Sequence, residues 1–321
     1  MAALADRHDA PVVDLRTVSA ESLAPVLEEE VAAWRTELDW DFRLSADLVR
    51  RFVHMQALSG FALYRGRQIA GYSYYVCEDG KGLIGDVYVM REYRSVDHEN
   101  ALLGAALDAL WKTPGIRRVE AQLMMLSSPL DRAVPGLSWF RSFPRCFMVA
   151  PLDRVSKLPP KCPPGTIITK WSEARQDDSA RLIASAYQGH VDSQINDQYR
   201  STPGARRFLM NIVEYPGCGT FFAPASYAAL DPSGRELRGV SLASMVASDV
   251  GHITQVCVAN SERDKGLGYE LVRHSLIALA AHGCRLVSLT VTASNRNAIS
   301  LYERMGFTIR RDFAAYVWEP R

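Results

Sequence analysis

Hydrophobic positions along the chain follow two spacings in turn, which predicts alternating β-strands and α-helices. The β-branched runs at 252–258 and 285–292 are typical of buried strands. Between them, apolar residues from Leu271 to Leu279 recur at helical spacing, so we predict a helix over 269–282. The pattern indicates an α/β class in which helices flank a mixed sheet.

The order of predicted elements occurs twice. The first half gives a strand, two helices, three strands, a helix, a strand, a helix-like segment at 129–143 and a last strand. A similar succession follows residue 165. The segment 155–165 between them contains four prolines, and proline resists both helix and sheet. We therefore predict two domains, at 1–154 and 166–321, joined by a proline-rich linker at 155–165.

A basic loop with two glycines follows the strand that ends at Val258. The start of a helix has backbone N–H groups without partners and a dipole that favours anions. Gly266 and Gly268 allow close approach of the backbone to a phosphate, and Arg263 and Lys265 add positive charge. A plain strand-to-helix turn is the alternative interpretation, because short glycine motifs recur by chance.

Two motifs together give a family resemblance. An Arg/Gln-x-x-Gly-x-Gly/Ala pattern is present in the loop. An Asn-x-x-Ala-x-x-Leu-Tyr-x-x-x-Gly-Phe pattern follows the next strand, and its matching residues are Asn295, Ala298, Leu301, Tyr302, Gly306 and Phe307. In this order, they resemble the GNAT superfamily of acyl-CoA-dependent N-acyltransferases, over roughly the last half of the chain. The resemblance implies two GNAT-like domains in tandem, each a mixed central sheet flanked by helices.

The resemblance also implies acetyl-CoA as the acyl donor and assigns its contacts. The residues implied to hold the pyrophosphate are Arg263, Asp264, Lys265, Gly266, Leu267, Gly268 and Tyr269. Main-chain groups of Val256, Cys257 and Val258 would pair with the pantetheine arm. Asn295 would bind the pantetheine or thioester region, and an Asx turn that caps the following helix is its alternative role.

Two residues are implied to carry the chemistry. In the family an amine attacks the thioester directly, in a ternary complex. Tyr302 would protonate the departing CoA thiolate, with a core tyrosine as the alternative. The family often uses a glutamate as the base, and the equivalent position here is His252, whose imidazole titrates near neutrality. A structural histidine is the alternative, and Asp249, Glu214 and Tyr227 are further candidates for the base.

Acceptor recognition is predicted from the polar segment 190–199. Within this segment, Asp192, Asp197 and Tyr199 are candidates for holding an amine cation. A solvated loop is the alternative interpretation.

The first domain departs from the motifs. When the two halves are aligned on the strands that precede these loops, Arg94 falls on Arg263, but Asp97 and Glu99 fall on the two motif glycines. Carboxylates at these places oppose the binding of a diphosphate. We therefore predict a degenerate GNAT-like domain that has lost CoA binding, with an unrelated α/β domain as the alternative.

Composition narrows the possible partners. A formal net charge of +1 gives no reason to expect nucleic-acid or membrane binding. The six cysteines include no Cys-x-x-Cys pair, so we expect neither a metal site nor a disulfide framework. Charged residues at 6–9 argue against a signal peptide, and no apolar run approaches the roughly 18 residues of a membrane span. We expect a cytoplasmic protein.

The predicted function is transfer of acetyl from acetyl-CoA to a primary amine of a small molecule or a peptide terminus. One alternative is an acetyltransferase similar to the mycothiol synthase family, whose members are also tandem with an active C-terminal half. Another is a catalytically silent acyl-CoA-binding sensor, which the absent glutamate and the degenerate first domain would allow.

Overall fold

The computed structural model describes residues 11–215, 217 and 219–320, and only the backbone of residue 137. These residues form eight α-helices, which are α1 (Ala20–Leu38), α2 (Arg43–His54), α3 (Val96–Lys112), α4 (Gln176–Ala186), α5 (Asp192–Ile195), α6 (Thr202–Glu214), α7 (Leu267–Ala281) and α8 (Arg296–Arg304). They also form thirteen strands, which are β1 (Val12–Asp14), β2 (Gly60–Arg65), β3 (Gln68–Glu78), β4 (Lys81–Val89), β5 (Arg118–Leu123), β6 (Phe140–Pro151), β7 (Ile167–Lys170), β8 (Thr220–Phe221), β9 (Tyr227–Leu230), β10 (Leu237–Ala247), β11 (Val250–Val258), β12 (Leu286–Thr292) and β13 (Thr308–Trp318).

The chain divides into two compact units. The described part of unit 1 consists of residues 11–34, 42–142 and 313–320, and unit 2 consists of Arg35–Asp41 and Phe143–Asp312. These bounds differ from the contiguous halves 1–154 and 166–321 that the sequence predicts.

Unit 1 is a mixed sheet with the strand order β1-β2-β3-β4-β5-β13. Neighbouring strands are antiparallel except β4 and β5, which are parallel. Helix α3 buries the apolar stripe Leu102, Leu103, Ala106, Leu107 and Leu110 in the same core as the fully buried Trp318. Helical spacing of these residues explains why this face is covered by the sheet.

Unit 2 has the strand order β6-β12-β11-β10-β9-β7, and β8 also pairs with β10. The strands β11 and β12 are parallel, and the other neighbours are antiparallel. Helix α7 buries Leu271, Val272, Leu276 and Leu279, the positions whose spacing predicts it. It begins at Leu267, two residues before the predicted start at Tyr269.

Each unit receives one strand from the opposite half of the sequence. Strand β6, which precedes the linker, pairs with β12 in unit 2, and β13, at the end of the chain, pairs with β5 in unit 1. Hydrophobic patterns predict a strand but do not specify its partner, which explains why the predicted domain bounds are contiguous and the observed ones are not.

The internal repeat extends to the hydrogen-bond register. Strand β4 pairs in parallel with β5 from Lys81 to Ile84, and β11 pairs with β12 over the equivalent four residues, from Val250 to Ile253. A β-bulge follows at once in each case, because the pairing with β3 omits Gly85 and the pairing with β10 omits Thr254. The same register supports the sequence alignment of the two halves.

The bulge at Thr254 changes which face of β11 each side chain occupies. Ile253 packs in the core beneath α7, whereas Cys257 packs in the core formed with α4 and α6. A strict period of two would place both residues on one face. Because of the extra residue, His252 and Gln255 share a face.

Two predicted elements differ from the structure. The helix predicted at 129–143 is absent: this stretch contains turns and a short 3-10 helix at Leu137–Trp139, and β6 begins at Phe140. Its Pro129 and Pro135 remove backbone donors that a helix needs. The predicted loop 190–199 instead contains α5 and a 3-10 helix at Asp197–Arg200.

Within the described residues, no helix is long and apolar enough to cross a membrane. The residues at 6–9, from which we expect no signal peptide, lie outside the described part of the chain.

Candidate active site

The parallel strands β11 and β12 of unit 2 diverge after four paired residues. In the described part of the chain, β11 pairs with β12 only as far as Ile253, while β12 continues alongside β6 to Thr292. The divergence leaves one edge of β11 open beyond the bulge. The carbonyl of Val256 points to this edge, where it accepts long hydrogen bonds from the Tyr187 hydroxyl at 3.4 Å and from Gln255 Nε2 at 3.5 Å.

Helices α7 and α8 both start at this end of the sheet. Each follows one of the two diverging parallel strands, so their N-termini lie at the carboxyl edge, where α/β sheets bind ligands. Gly266 is the N-cap of α7 and adopts a left-handed conformation with φ of 89°. A side chain there would be strained, which accounts for this motif glycine by backbone geometry alone.

Gly268 has no such structural reason to be glycine. It lies in the first turn of α7, and a Cβ atom built on it would meet only Val258, at 3.9 Å, among the described residues. Protein contacts therefore leave room for a side chain at this position. A glycine that the fold does not require is consistent with close approach of a ligand to the helix start.

The basic residues of the loop are held differently. The guanidinium group of Arg263 donates a hydrogen bond of 2.6 Å to the carbonyl of Ala186 at the end of α4. Lys265 lies 3.6 Å from a carboxylate oxygen of Glu262, and its side chain is 56% exposed. Arg263 therefore attaches the loop to the end of α4, whereas the charged group of Lys265 lies in solvent.

The linker packs against the first turn of α7. The hydroxyl of Tyr269 donates to the carbonyl of Pro159 at 3.0 Å, and the backbone N–H of Lys161 donates to Glu270 Oε2 at 2.8 Å. Burial by itself opposes ionisation of Glu270, but hydrogen bonds from Arg273 and Lys161 hold the pKa of this carboxyl below its usual value. The linker thus packs beside the loop and helps to fix the start of α7.

Three predicted donor-contact residues have side chains in the core. Cys257 is buried, and burial raises the pKa of its thiol to about 12. Leu267 is fully buried, and Val258 packs against the same small cluster. Their contribution to a ligand would come from the main chain, as the resemblance implies for the strand.

Asn295 and Tyr302 both belong to the α8 region. Asn295 is the N-cap of α8, and its Oδ1 accepts a hydrogen bond of 3.2 Å from the N–H of Ala298. This is the Asx capping that the sequence offers as an alternative, and it leaves the side-chain amide group directed at His190.

Tyr302 packs on Phe307 with ring centroids 5.7 Å apart. Burial, and then the negative charge of Asp192, raise the pKa of Tyr302 to about 12.

Asp192 lies beside Tyr302 at the end of β12. Its Oδ1 accepts a hydrogen bond from the hydroxyl of Thr292. His190 Nδ1 lies 3.7 Å from its other oxygen, and the side chain of Asp192 is 17% exposed. Of the acceptor-binding candidates, Asp192 is therefore the one that the structure places next to the proposed acid.

Tyr199 also lies at the open edge of β11. Its ring stacks on Tyr187 at 4.5 Å between centroids, and its hydroxyl donates to Gln255 Oε1 at 3.4 Å. Gln255 Nε2 in turn donates to the Tyr187 hydroxyl at 2.9 Å. Sequence reasoning singles out neither Tyr187 nor Gln255, because the contacts that join them to the site are between residues far apart in the chain.

His252 is buried within unit 2 rather than exposed at a strand edge. It is 4% exposed, its Nδ1 lies 2.9 Å from the Ser288 hydroxyl, and its ring packs edge-on against Trp40 at 4.9 Å. Burial, and then the positive charge of Arg145, lower its pKa to about 3. The prediction of an accessible base at a strand edge does not match this geometry, whereas the alternative of a structural histidine does.

The other candidates for the base make different contacts. Asp249 accepts a hydrogen bond of 2.7 Å from Arg285, and Tyr227 contacts Lys170 and lies 5.2 Å from the ring of His274. Glu214 is the last residue of α6.

Among the described residues, no group of His, Cys, Asp and Glu side chains is arranged to bind a metal ion.

The corresponding place in unit 1 is filled by the protein itself. Glu99, which aligns with Gly268, is buried in the first turn of α3. Its carboxylate accepts hydrogen bonds from the Ser127 N–H at 3.0 Å, the Ser127 hydroxyl at 2.7 Å and Arg132 at 2.6 Å. The N-cap Ser95 accepts from the N–H of His98. Side chains thus occupy the helix start that is open in unit 2.

The two units share a mixed α/β architecture, and unit 2 carries the motif residues. Residues 180–307 match the acetyltransferase (GNAT) family. The matched residues lie within unit 2.

Curated relatives named acetyltransferases also match parts of the chain. A mycothiol acetyltransferase of Thermomonospora curvata is 28% identical over 243 residues, which cover 75% of this chain and 75% of that protein. One of Corynebacterium glutamicum strain R is 35% identical over 83 residues, but the match spans only 26% of this chain and 28% of that relative.

Solved structures resemble the whole chain. A GCN5-related N-acetyltransferase from Sphaerobacter thermophilus has a TM-score of 0.68 at 16% identity and covers 96% of this chain and 95% of its own. A tandem GNAT protein from the clavulanic acid biosynthesis pathway has a TM-score of 0.62 at 17% identity. The match covers 98% of this chain and 100% of that protein. At these identities the likeness shows the fold.

Proposed function

We propose that this protein is an N-acetyltransferase that transfers acetyl from acetyl-CoA to a primary amine of a small molecule or a peptide terminus, by direct attack in a ternary complex. One observation carries the proposal. The divergence of β11 from β12 gives an open main-chain edge beside two helix starts, and these carry the motif residues Gly266, Gly268 and Asn295. This arrangement suits an extended thioester arm that ends in a diphosphate.

Donor binding is assigned to the main chain of 256–258 and to the loop 263–269. The pantetheine arm would pair with the edge at Val256, whose carbonyl accepts long hydrogen bonds from two side chains. The diphosphate would lie at the start of α7, near the open face of Gly268. Lys265 supplies positive charge, while Arg263 supports the loop through Ala186.

For the chemistry, we assign the acid to Tyr302 and the base to Asp192. The amine nitrogen forms a bond to the thioester carbon, the carbon–sulfur bond breaks, one amine proton goes to Asp192 and the phenolic proton of Tyr302 goes to sulfur. The two groups are coupled, because the charge of Asp192 raises the pKa of Tyr302. When Asp192 accepts a proton it loses this charge, which lowers the pKa of the phenol at the moment its proton is needed.

A second acceptor class has specific support. Several relatives that match this chain are named mycothiol acetyltransferases, and one of them matches over 75% of the chain. The acceptor of those relatives therefore belongs in any amine panel. Turnover of that acceptor alone would favour this narrower function over a general amine acetyltransferase.

We assign acyl-CoA binding to unit 2 alone. In unit 1 the carboxylate of Glu99 and the guanidinium of Arg132 occupy the helix start that would receive the diphosphate. An anionic ligand would have to displace this buried ion pair, whose side chains are 2% and 1% exposed. We therefore expect one acyl-CoA per chain.

The test combines binding and turnover. Calorimetry with acetyl-CoA should give one site, and CoA release should depend on an added amine. Tyr302→Phe should keep the affinity and lower kcat by about 100-fold or more, the typical contribution of a general acid. Tyr215→Phe, at a tyrosine that is 63% exposed, is the matched control and should leave both unchanged. Binding without turnover on any amine would favour the acyl-CoA sensor, and absence of binding would exclude both functions.

A further inference from the structure

We propose that His190 and Asn295 form a two-donor site that binds a carbonyl oxygen of the acyl donor. The inference rests on the proposed function, and it adds a residue outside the family motifs. Asn295 Nδ2 and His190 Nε2 face each other at 3.5 Å across the start of α8. The question is which of these two nitrogen atoms carries hydrogen.

For Asn295 the orientation of the side-chain amide settles the matter. Its Oδ1 accepts the hydrogen bond from the N–H of Ala298, so the atom that faces His190 is the NH₂ group. A flipped amide would place two donors against each other at the cap, which the N–H of Ala298 disfavours. Asn295 therefore presents a donor to the space between the two side chains.

His190 also presents a donor. Its Nδ1 accepts a hydrogen bond of 3.2 Å from the N–H of Asp192, and a neutral imidazole whose Nδ1 accepts carries its hydrogen on Nε2. If the ring is protonated, Nδ1 faces the Asp192 carboxylate at 3.7 Å and Nε2 again carries hydrogen. In both states, Nε2–H is directed at the amide group of Asn295.

Two donors that face each other satisfy neither group. An oxygen atom with two lone pairs, placed beside the gap, can accept from both, as carbonyl oxygens commonly do. The carboxylate of Asp192, near the ring of His190, disfavours an anionic ligand at the same place. A neutral carbonyl oxygen therefore fits better than a carboxylate or phosphate oxygen.

The ring of His190 is fixed in this position by its surroundings. It packs edge-on against Tyr187 with ring centroids 5.2 Å apart, and its carbonyl accepts a 2.7 Å hydrogen bond from the Ser193 hydroxyl. The side chain is 26% exposed, so a ligand can reach it. The acyl donor is the ligand that the proposed function brings to Asn295, and its arm and its thioester both carry carbonyl oxygens.

The test compares two variants of full-length protein. His190→Gln keeps an N–H group near the position of Nε2, and His190→Leu removes it. We expect His190→Leu to weaken acetyl-CoA binding or to lower kcat by about ten-fold or more, and His190→Gln to stay within about three-fold of the native protein. A change in Kd indicates a carbonyl of the arm, and a change in kcat at unchanged Kd indicates the thioester carbonyl. Both support the site.

Equal losses in the two variants, or no loss in either, would overturn the proposal. A second measurement does not depend on the variants: the ¹⁵N chemical shifts of His190 in the native protein should show hydrogen on Nε2, and a neutral ring with hydrogen on Nδ1 alone would also overturn it. If native protein fails to bind acetyl-CoA, the proposed function fails, whereas normal binding with an unaffected His190→Leu variant refutes only this inference.

Discussion

The hydroxyl of Thr292 donates a hydrogen bond to Oδ1 of Asp192, which ties the end of β12 to the first residue of α5. The same carboxylate raises the pKa of Tyr302. The proposed base is thus oriented by the strand that precedes the helix of the proposed acid, so both proposed roles depend on the end of β12.

Replacing Thr292 tests this orientation. Thr292→Val keeps the shape of the side chain and removes the donor, and a hydrogen bond to a charged group contributes about 1.5–3 kcal/mol. We expect kcat to fall by about ten-fold or more while the Kd for acetyl-CoA is unchanged. Thr290→Val, on the same face of β12 but bonded to Arg145, is the control. An unchanged kcat in Thr292→Val would argue against Asp192 as the base.

Gly268 offers a test in which stability and binding move in opposite directions. Gly268→Ala should stabilise α7 by about 0.5–1 kcal/mol, because alanine is the better helix former and its Cβ has space. The same Cβ should hinder close approach of a diphosphate and raise the Kd for acetyl-CoA. Denaturation and calorimetry measure the two effects.

Gly104→Ala in α3 is the matched control for this prediction. Its Cβ would lie at ordinary contact distance from Pro135, 3.6 Å away, so a similar gain in stability is expected. The Kd for acetyl-CoA should not change. If Gly268→Ala binds acetyl-CoA as tightly as the native protein, the diphosphate does not lie at the start of α7.

Trp318 tests whether β13, from the end of the sequence, completes the core of unit 1. Its ring is fully buried in the core of unit 1, and its Nε1 donates to the carbonyl of Pro135 at 2.9 Å. We expect Trp318→Ala to lower the free energy of unfolding of unit 1 by about 3–5 kcal/mol, as measured by chemical denaturation. Trp139→Ala, at a residue 46% exposed, is the control and should cost much less. Equal effects would mean that β13 does not complete this core.

Unit 1 contains a buried pair of carboxyl groups that predicts a pH dependence of its stability. Glu30 is hydrogen-bonded to Asp86, to the Tyr72 hydroxyl at 2.7 Å and to Trp34 Nε1 at 3.2 Å. Burial, and then the negative charge of Asp86, raise the pKa of Glu30 well above its usual value. Burial also raises the pKa of Asp86.

The direction of the effect follows from these shifts. A carboxyl whose pKa is raised in the folded state contributes most below its unfolded pKa, near 4.5, and loses this contribution as pH rises through the folded value. The free energy of unfolding should therefore fall as pH increases above about 4.5, by up to about 1.4 kcal/mol per pH unit for each proton. Glu30→Gln should flatten this fall, whereas Tyr72→Phe should retain it. If the free energy of unfolding of the native protein does not fall over this pH range, the pKa values of Glu30 and Asp86 are not raised in the folded state.

Local patterns in the sequence predicted much of the fold. The stripe from Leu271 to Leu279 predicts α7, and the Asx-turn alternative for Asn295 matches its position as the N-cap of α8. These features depend on residues within one or two helical turns of each other, so periodicity and capping preferences are sufficient to find them.

Features that depend on distant residues were not predictable. The bulge at Thr254 reverses the alternation in β11, and only the pairing with β10 reveals it. The family spacing predicts His252 as an accessible base, although it packs against Trp40. The contact between His190 and Asn295 joins residues 105 positions apart in the chain. The helix predicted at 129–143 is absent for a local reason, because Pro129 and Pro135 interrupt the helical pattern.

The position of β13 has a consequence for the order of events during synthesis. A ribosome makes the first 142 residues of the chain long before residues 313–318, yet β5 must wait for those residues to gain its second neighbour. The nascent first unit therefore emerges with a bare strand edge and without Trp318 in its interior, a state that invites wrong pairing. The N-terminal unit can therefore be completed only after the whole of unit 2 has been synthesised.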